Sequence, residues 1–235
     1  VNAERYYFQH LGLKNKLSQS SVLCIIQDRS GFMWFGTKDG LNRYDGSNFR
    51  TFKHDHKNAR SIGNNAINSL HENKDGNLWV GTDNGVYLYN PVTESFSKLE
   101  EASQDGVSIT QPIVQITADP HENVWLIVES QGVFLFDNSK QTLTHYPVPD
   151  AHALSSICVD QQNTVWIGYK GKGLYYTNDR FKTLQLFTTQ DEKNIFANDH
   201  IFKILPEQHN TLYTGSSKGG LKSINIVNQT VTDLL

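Results

Sequence analysis

Few residues in this chain have the types and spacing that chemistry needs. His54-Asp55-His56 has the alternate-residue look of a metal pair, but no third ligand follows at a useful spacing, so no metal site is assigned. A glycine-rich phosphate loop, a Gly-x-Ser-x-Gly elbow and a Cys/His pair are all missing from the sequence. Cys24 and Cys158 each lie within an apolar run and read as buried free thiols. No catalytic residue and no cofactor is therefore assigned. The remaining candidates are polar groups able to hydrogen-bond a small molecule such as a sugar: Arg60, Asp83, Glu129, Lys170, Lys172 and His200. They matter only if the fold gathers them on one surface.

The elements that would do so repeat. Trp34, Trp79, Trp125 and Trp166 are separated by 45, 46 and 41 residues, and Tyr213 continues the series 47 residues on. Periods of this size indicate a tandem array. Twelve residues before each aromatic stand Val22, Ile67, Ile113, Leu154 and Ile201, and nine before it Ile25, Leu70, Ile116, Ile157 and Ile204. Six before it come Asp28, Asn73, Asp119, Asp160 and Glu207, where a strand should end and turn. After it, Gly40, Gly85, Gly132, Gly173 and Gly220 each precede an aliphatic residue, and Asp45, Asn90, Asp137, Asn178 or Asn225 follows four further on.

Short β-rich runs between Gly, Asn and Asp turns predict an all-β chain of four-stranded antiparallel units. One such unit cannot cover both of its own faces, so the units must stack, and radial stacking gives a β-propeller. The expected repeats cover about 20–53, 65–99, 111–146, 153–187 and 199–235, with Trp34, Trp79, Trp125, Trp166 and Tyr213 packing blade against blade. The turns after the second strand of each unit and the links between units share one face. That places the six polar candidates on loop tips, where side chains are free to specialise.

The balance of 21 Lys+Arg against 24 Asp+Glu, a net charge of −3, gives no nucleic-acid footprint. No apolar stretch approaches the roughly 18 residues that a membrane span requires. Both readings leave a ligand-binding or interaction role, or a propeller enzyme with carboxylates from different blades.

Residues 25–49, from Ile25 through Asp28, Gly31, Trp34, Gly36, Thr37, Gly40, Tyr44 and Asp45 to Phe49, resemble the two-component regulator propeller repeat. Residues 73–90 and the linking segments 12–22 and 60–67 match it almost as well. The third copy departs with Ile127 and Val128 in place of Gly and Thr, and the fifth with Tyr213 in place of Trp. The resemblance implies the periplasmic sensor region of a Bacteroides-type hybrid two-component histidine kinase, with an oligosaccharide as signal and transcription of its utilisation genes as output. It further implies a second propeller in the same chain and a homodimeric sensor. Neither nucleic acid nor membrane would touch this part, and a lyase, a glycoside-active enzyme or a protein-interaction scaffold is the alternative.

A strand at 6–11 precedes the first repeat and resembles the last strand of a unit, whereas the fifth repeat already has a last strand of its own. With the family's seven blades, this predicts part of a seven-bladed propeller, whose further blades lie beyond Leu235. An apolar blade face and a free edge would then invite self-association.

Overall fold

The computed structural model describes residues 8–99 and 105–234. It contains five antiparallel four-stranded sheets, each formed from consecutive strands. The first comprises β1 (Val22–Gln27), β2 (Met33–Thr37), β3 (Gly40–Tyr44) and β4 (Phe49–Phe52). The second comprises β5 (Ile67–Glu72), β6 (Leu78–Thr82), β7 (Gly85–Asn90) and β8 (Ser95–Lys98). The third comprises β9 (Ile113–Ala118), β10 (Val124–Val128), β11 (Gly132–Asp137) and β12 (Thr142–Tyr146). The fourth comprises β13 (Leu154–Val159), β14 (Val165–Tyr169), β15 (Gly173–Thr177) and β16 (Gln185–Leu186). The fifth comprises β17 (Ile201–Glu207), β18 (Thr211–Ser216), β19 (Gly220–Asn225) and β20 (Thr230–Asp233). Successive sheets pack through their first strands, β1 on β5, β5 on β9, β9 on β13 and β13 on β17, as blades of a propeller do. The strand expected at 6–11 begins outside the described residues, and 8–11 carry no strand.

Apolar side chains on both faces of each blade drive this stacking. Trp34, Leu41, Ile67, Leu78, Val80 and Tyr89 form one core between the first two blades, and Trp79, Val86, Ile113, Val124, Leu126 and Phe134 form the next. Trp79 meets the Phe136 ring of the third blade edge-on, with centroids 5.3 Å apart. One repeat position shows what a neighbour does. Ile116, Ile157 and Ile204 are 5%, 0% and 1% exposed, whereas Ile25, on the face of the first blade away from the second, is 57% exposed. On the opposite face of the fifth blade Leu205 is 54% exposed, while Cys158, its counterpart in the fourth, is 3%.

The recurring Asp six before the Trp has two tasks. One oxygen of Asp28, Asp119 and Asp160 accepts two backbone N–H groups of the following turn, at 2.8–3.0 Å. The other accepts Trp Nε1–H, at 2.7 Å from Trp34, 3.1 Å from Trp125 and 2.8 Å from Trp166. In the second blade Asn73 keeps the turn bonds with its single carbonyl oxygen, so its amide nitrogen cannot accept from Trp79. Trp79 Nε1 is buried and has no partner among the described residues. At the second repeated turn Asp45, Asn90, Asp137 and Asn225 accept backbone N–H groups two and three residues on. The fourth blade differs from the expectation for Asn178: Asp179 holds that turn, bonding Thr183 N–H and the Thr177 and Thr183 hydroxyls.

Each first strand is the edge of its own sheet, and side chains of the preceding blade satisfy its free backbone groups. Ser69 Oγ accepts from Ile116 N–H at 2.9 Å, and Ser156 Oγ accepts from Ile204 N–H at 3.0 Å. Between the third and fourth blades the longer Gln115 takes this place, accepting from Ile157 N–H at 3.1 Å and donating to Ile157 O at 2.8 Å. At the same interface Ile127 is fully buried where the other copies have Gly. Of the recurrent glycines, Gly132 shows why the position tolerates nothing else: its φ is +106°, and an added Cβ would lie 2.7 Å from Tyr146 O.

Three outcomes are expected from denaturant unfolding. Gly81→Ala places a Cβ 2.6 Å from Ile113 Cγ2, within a buried contact, and should cost about 1 to 3 kcal/mol. Gly215→Ala, with nothing within 4 Å, should change stability by less than about 0.5 kcal/mol in this chain. Asn73→Asp should stabilise by about 1 kcal/mol by giving Trp79 Nε1–H its acceptor, and an unchanged or lower unfolding free energy would contradict that role.

Candidate functional site

The turns after the second strand of each blade and the links into the next blade line one end of the array. The six candidates are distributed among them, and the fold does not gather them all. The Arg60 carbonyl accepts Phe96 N–H at 2.9 Å, which anchors this exposed residue to the outermost strand of the second blade. Asp83 lies at the β6–β7 tip and accepts from Asn68 Nδ2 on the innermost strand at 2.8 Å. Glu129 is exposed at the β10–β11 tip, where its N–H donates to Pro112 O at 2.9 Å. Lys172 is ion-paired with Asp150.

Lys170 and His200 do meet, paired by an isolated antiparallel bridge that joins the β14–β15 turn to the link preceding β17. Asp199 builds this junction. Its carboxylate accepts from Ser217 Oγ at 2.8 Å, Lys218 N–H at 2.9 Å, Gly219 N–H at 3.0 Å and His200 N–H at 2.7 Å. Its carbonyl accepts Gly171 N–H at 2.7 Å, tying the fourth blade's tip to the fifth. Burial acts to raise the Asp199 pKa. The Ser216 and Ser217 hydroxyls and the Lys218 and His200 N–H groups outweigh it and hold the carboxyl well below the ordinary carboxylate range.

The His200 ring packs against Phe202, with centroids 4.4 Å apart and planes tilted by 49°. Its pKa is lowered by burial and by the nearby Lys170 charge, against a smaller opposing pull from Asp199. Phe202 is 55% exposed despite lying in a strand. Together Lys170, His200 and Phe202 present two basic side chains beside an open aromatic face. The sequence reading overlooked Phe202 and Asp199. Phe202 is the one aromatic among Leu23, Asn68, Val114, Ser155 and Phe202, the residues eleven before each repeat aromatic, and that contrast could have singled it out.

His54 and His56 bond to each other, with Nε2 and Nδ1 3.1 Å apart, and His54 Nδ1 lies 3.0 Å from Ile62 O. Among the described residues no group of three or more His, Cys, Asp or Glu is placed to hold a metal ion. Cys24 and Cys158 are free thiols, and burial pushes Cys24 up to about 12 and Cys158 further, so neither is a ready nucleophile. Two clefts of about 390 and 450 Å³ open between the first and second and between the third and fourth blades. None of the six candidates lines either one. The first is bridged by Arg43, which lies 4.6 Å over the Phe32 ring and bonds Tyr89 and Glu94. Among the described residues no helix is long and apolar enough to cross a membrane.

Comparison with known proteins finds the two-component regulator propeller family at residues 16–39 and 61–84. Over 46 residues the chain is 48% identical to histidine kinase P4 of Formosa agariphila, a match spanning 20% of this chain and 3% of that protein. It superposes with a TM-score of 0.80 and 28% identity on the extracellular domain of a hybrid two-component system from B. thetaiotaomicron, over 96% of this chain and 31% of that one. Virginiamycin B lyase from Staphylococcus aureus shares the fold at a TM-score of 0.65 and 12% identity, over 92% of this chain and 70% of that one. The chain thus spans less than a third of the sensor domain it resembles and a small fraction of the kinase.

The junction makes a pH-dependent contribution to stability. Because the folded-state pKa of Asp199 is depressed, its contribution is present in full above about pH 4 and is lost as the pH falls below that value. Asp199→Ala should cost about 2 kcal/mol at neutral pH and flatten the acid limb of the stability profile. An unaltered acid limb, measured by denaturant unfolding from neutral to acid pH, would show that the carboxylate carries no such load.

Proposed function

We propose that this chain, which carries two-component regulator propeller repeats, is part of the extracytoplasmic sensor of a hybrid two-component histidine kinase. The observation that carries the reading is the likeness to a hybrid two-component extracellular domain over 96% of the chain, with the repeat motif matched twice. In this reading the chain lies in the periplasm and binds an oligosaccharide released from a polysaccharide. Its part is binding rather than catalysis. Phosphotransfer and the control of utilisation genes would belong to other parts of the protein, as would the remaining blades, a second propeller and homodimer contacts. Support for a sugar comes from the character of the loop face: exposed amide, carboxylate and basic side chains at the tips, with one open aromatic beside them. The lyase neighbour, at 12% identity, supports the fold alone.

Calorimetric titration of the complete protein with oligosaccharide digests of plant, algal and host polysaccharides tests the reading. Saturable binding without turnover of the bound sugar is expected. Cleavage of the sugar would point to an enzyme instead, and no binding across the panel would shift weight to a protein-interaction scaffold.

A further inference from the structure

We propose that the junction of the fourth and fifth blades is a subsite for an acidic sugar, with Phe202 as the platform for the ring and Lys170 and His200 as the receptors of its oxyanion. The inference rests on the oligosaccharide reading above and specifies the ligand class. It begins with the charge balance. On the loop face Lys53 is neutralised by Asp39 at 2.5 Å and Lys172 by Asp150, whereas Lys38, Lys57, Lys170 and Lys218 have no ion pair among the described residues. What faces Lys170 is His200, whose ring is kept neutral by burial and by the Lys170 charge. The carboxylate of this junction, Asp199, is only 3% exposed, and it is occupied by the Ser216 and Ser217 hydroxyls and three backbone N–H groups. A lysine and a neutral imidazole are thus held together with no free acid between them. An oxyanion placed there gains a charge-assisted hydrogen bond from the Lys170 ammonium and can accept a second from the neutral His200 ring.

The aromatic face makes a sugar the carrier of that oxyanion. Phe202 projects from the start of β17, more than half exposed, and its ring is kept in place by the His200 ring 4.4 Å away. An exposed ring fixed by a neighbour can stack on the apolar C–H face of a pyranose at little entropic cost. Access is open: at Gly171, the residue after Lys170, an added Cβ would meet nothing within 4 Å. The junction is preorganised, since Asp199 fastens both the Gly171 tip and the Ser217–Gly219 turn to the link that carries His200.

The acidic group could be a uronate carboxylate or a sulfate ester, and the test separates them. The complete protein is titrated with an oligogalacturonate, its methyl ester, a sulfated carrageenan oligosaccharide, its desulfated form and inorganic sulfate. At least one acidic oligosaccharide should bind, with its neutral counterpart about tenfold or more weaker and with affinity falling as salt is raised. Lys170→Ala and Phe202→Ala should each lose about tenfold while the melting temperature holds; Phe202→Leu, which keeps the apolar bulk, should lose nearly as much. Equal binding of acidic and neutral forms overturns the oxyanion site and leaves the oligosaccharide reading standing. Inorganic sulfate binding as tightly as the sulfated sugar overturns the ring platform. Failure of every acidic probe overturns this inference, while the broader reading then stands or falls on the polysaccharide digests.

Discussion

Each blade is a sheet with apolar side chains on both faces, and only another blade can cover either of them. The rest of the architecture follows from this constraint. It places an aliphatic residue at the same two positions of every innermost strand, and a large aromatic on the second strand to reach across. It also excludes any side chain at Gly36, Gly81 and Gly168, where a Cβ would lie 2.4, 2.6 and 2.9 Å from its nearest neighbour. Where the constraint is unmet, at the outer faces of the first and fifth blades, the same positions are exposed: Ile25 on one face, Leu205 and Leu221 on the other.

Polar groups are handled by local rules that leave those faces free. The Asp before Trp34, Trp125 and Trp166 closes a turn with one oxygen and satisfies the indole with the other, so one carboxylate settles a local and a packing requirement together. Edge strands turned inward obtain their missing partners from Ser69, Gln115 and Ser156 of the preceding blade. Substitution at one of these places is matched nearby. Gln115 and Ile127, a long amide and an aliphatic side chain, meet the fourth blade at the same interface, and Gln131 ties down the link before β9, accepting from Thr110 and Gln111 N–H groups. With the scaffold held by repeated contacts, the loop tips vary without cost to the core, and there the fourth and fifth blades depart from the others.

Periodicity made the blades legible in the sequence, because a position buried by the same contact in every copy must carry the same residue type in every copy. The strand order, the turns at Asp28 and Asp45 and the role of the tryptophans follow from that repetition alone. The candidate site was less legible, because its residues are those that do not repeat. Six loop residues were selected by chemical type, and the fold brings only Lys170 and His200 together. In the sequence Phe202 is one aromatic of a strand, next to Ile201, and Asp199 is one polar residue of a link.

The sequence by itself determined the number of blades, their four-stranded make-up and the residues between them, since burial against an identical neighbour is a nearest-neighbour rule written into every period. Only the tertiary structure decided which loop tips touch, which charges find a partner and which aromatic faces solvent. Those depend on contacts between residues about 30 positions apart, such as Lys170 with His200, that occur at a single junction and leave no period to read.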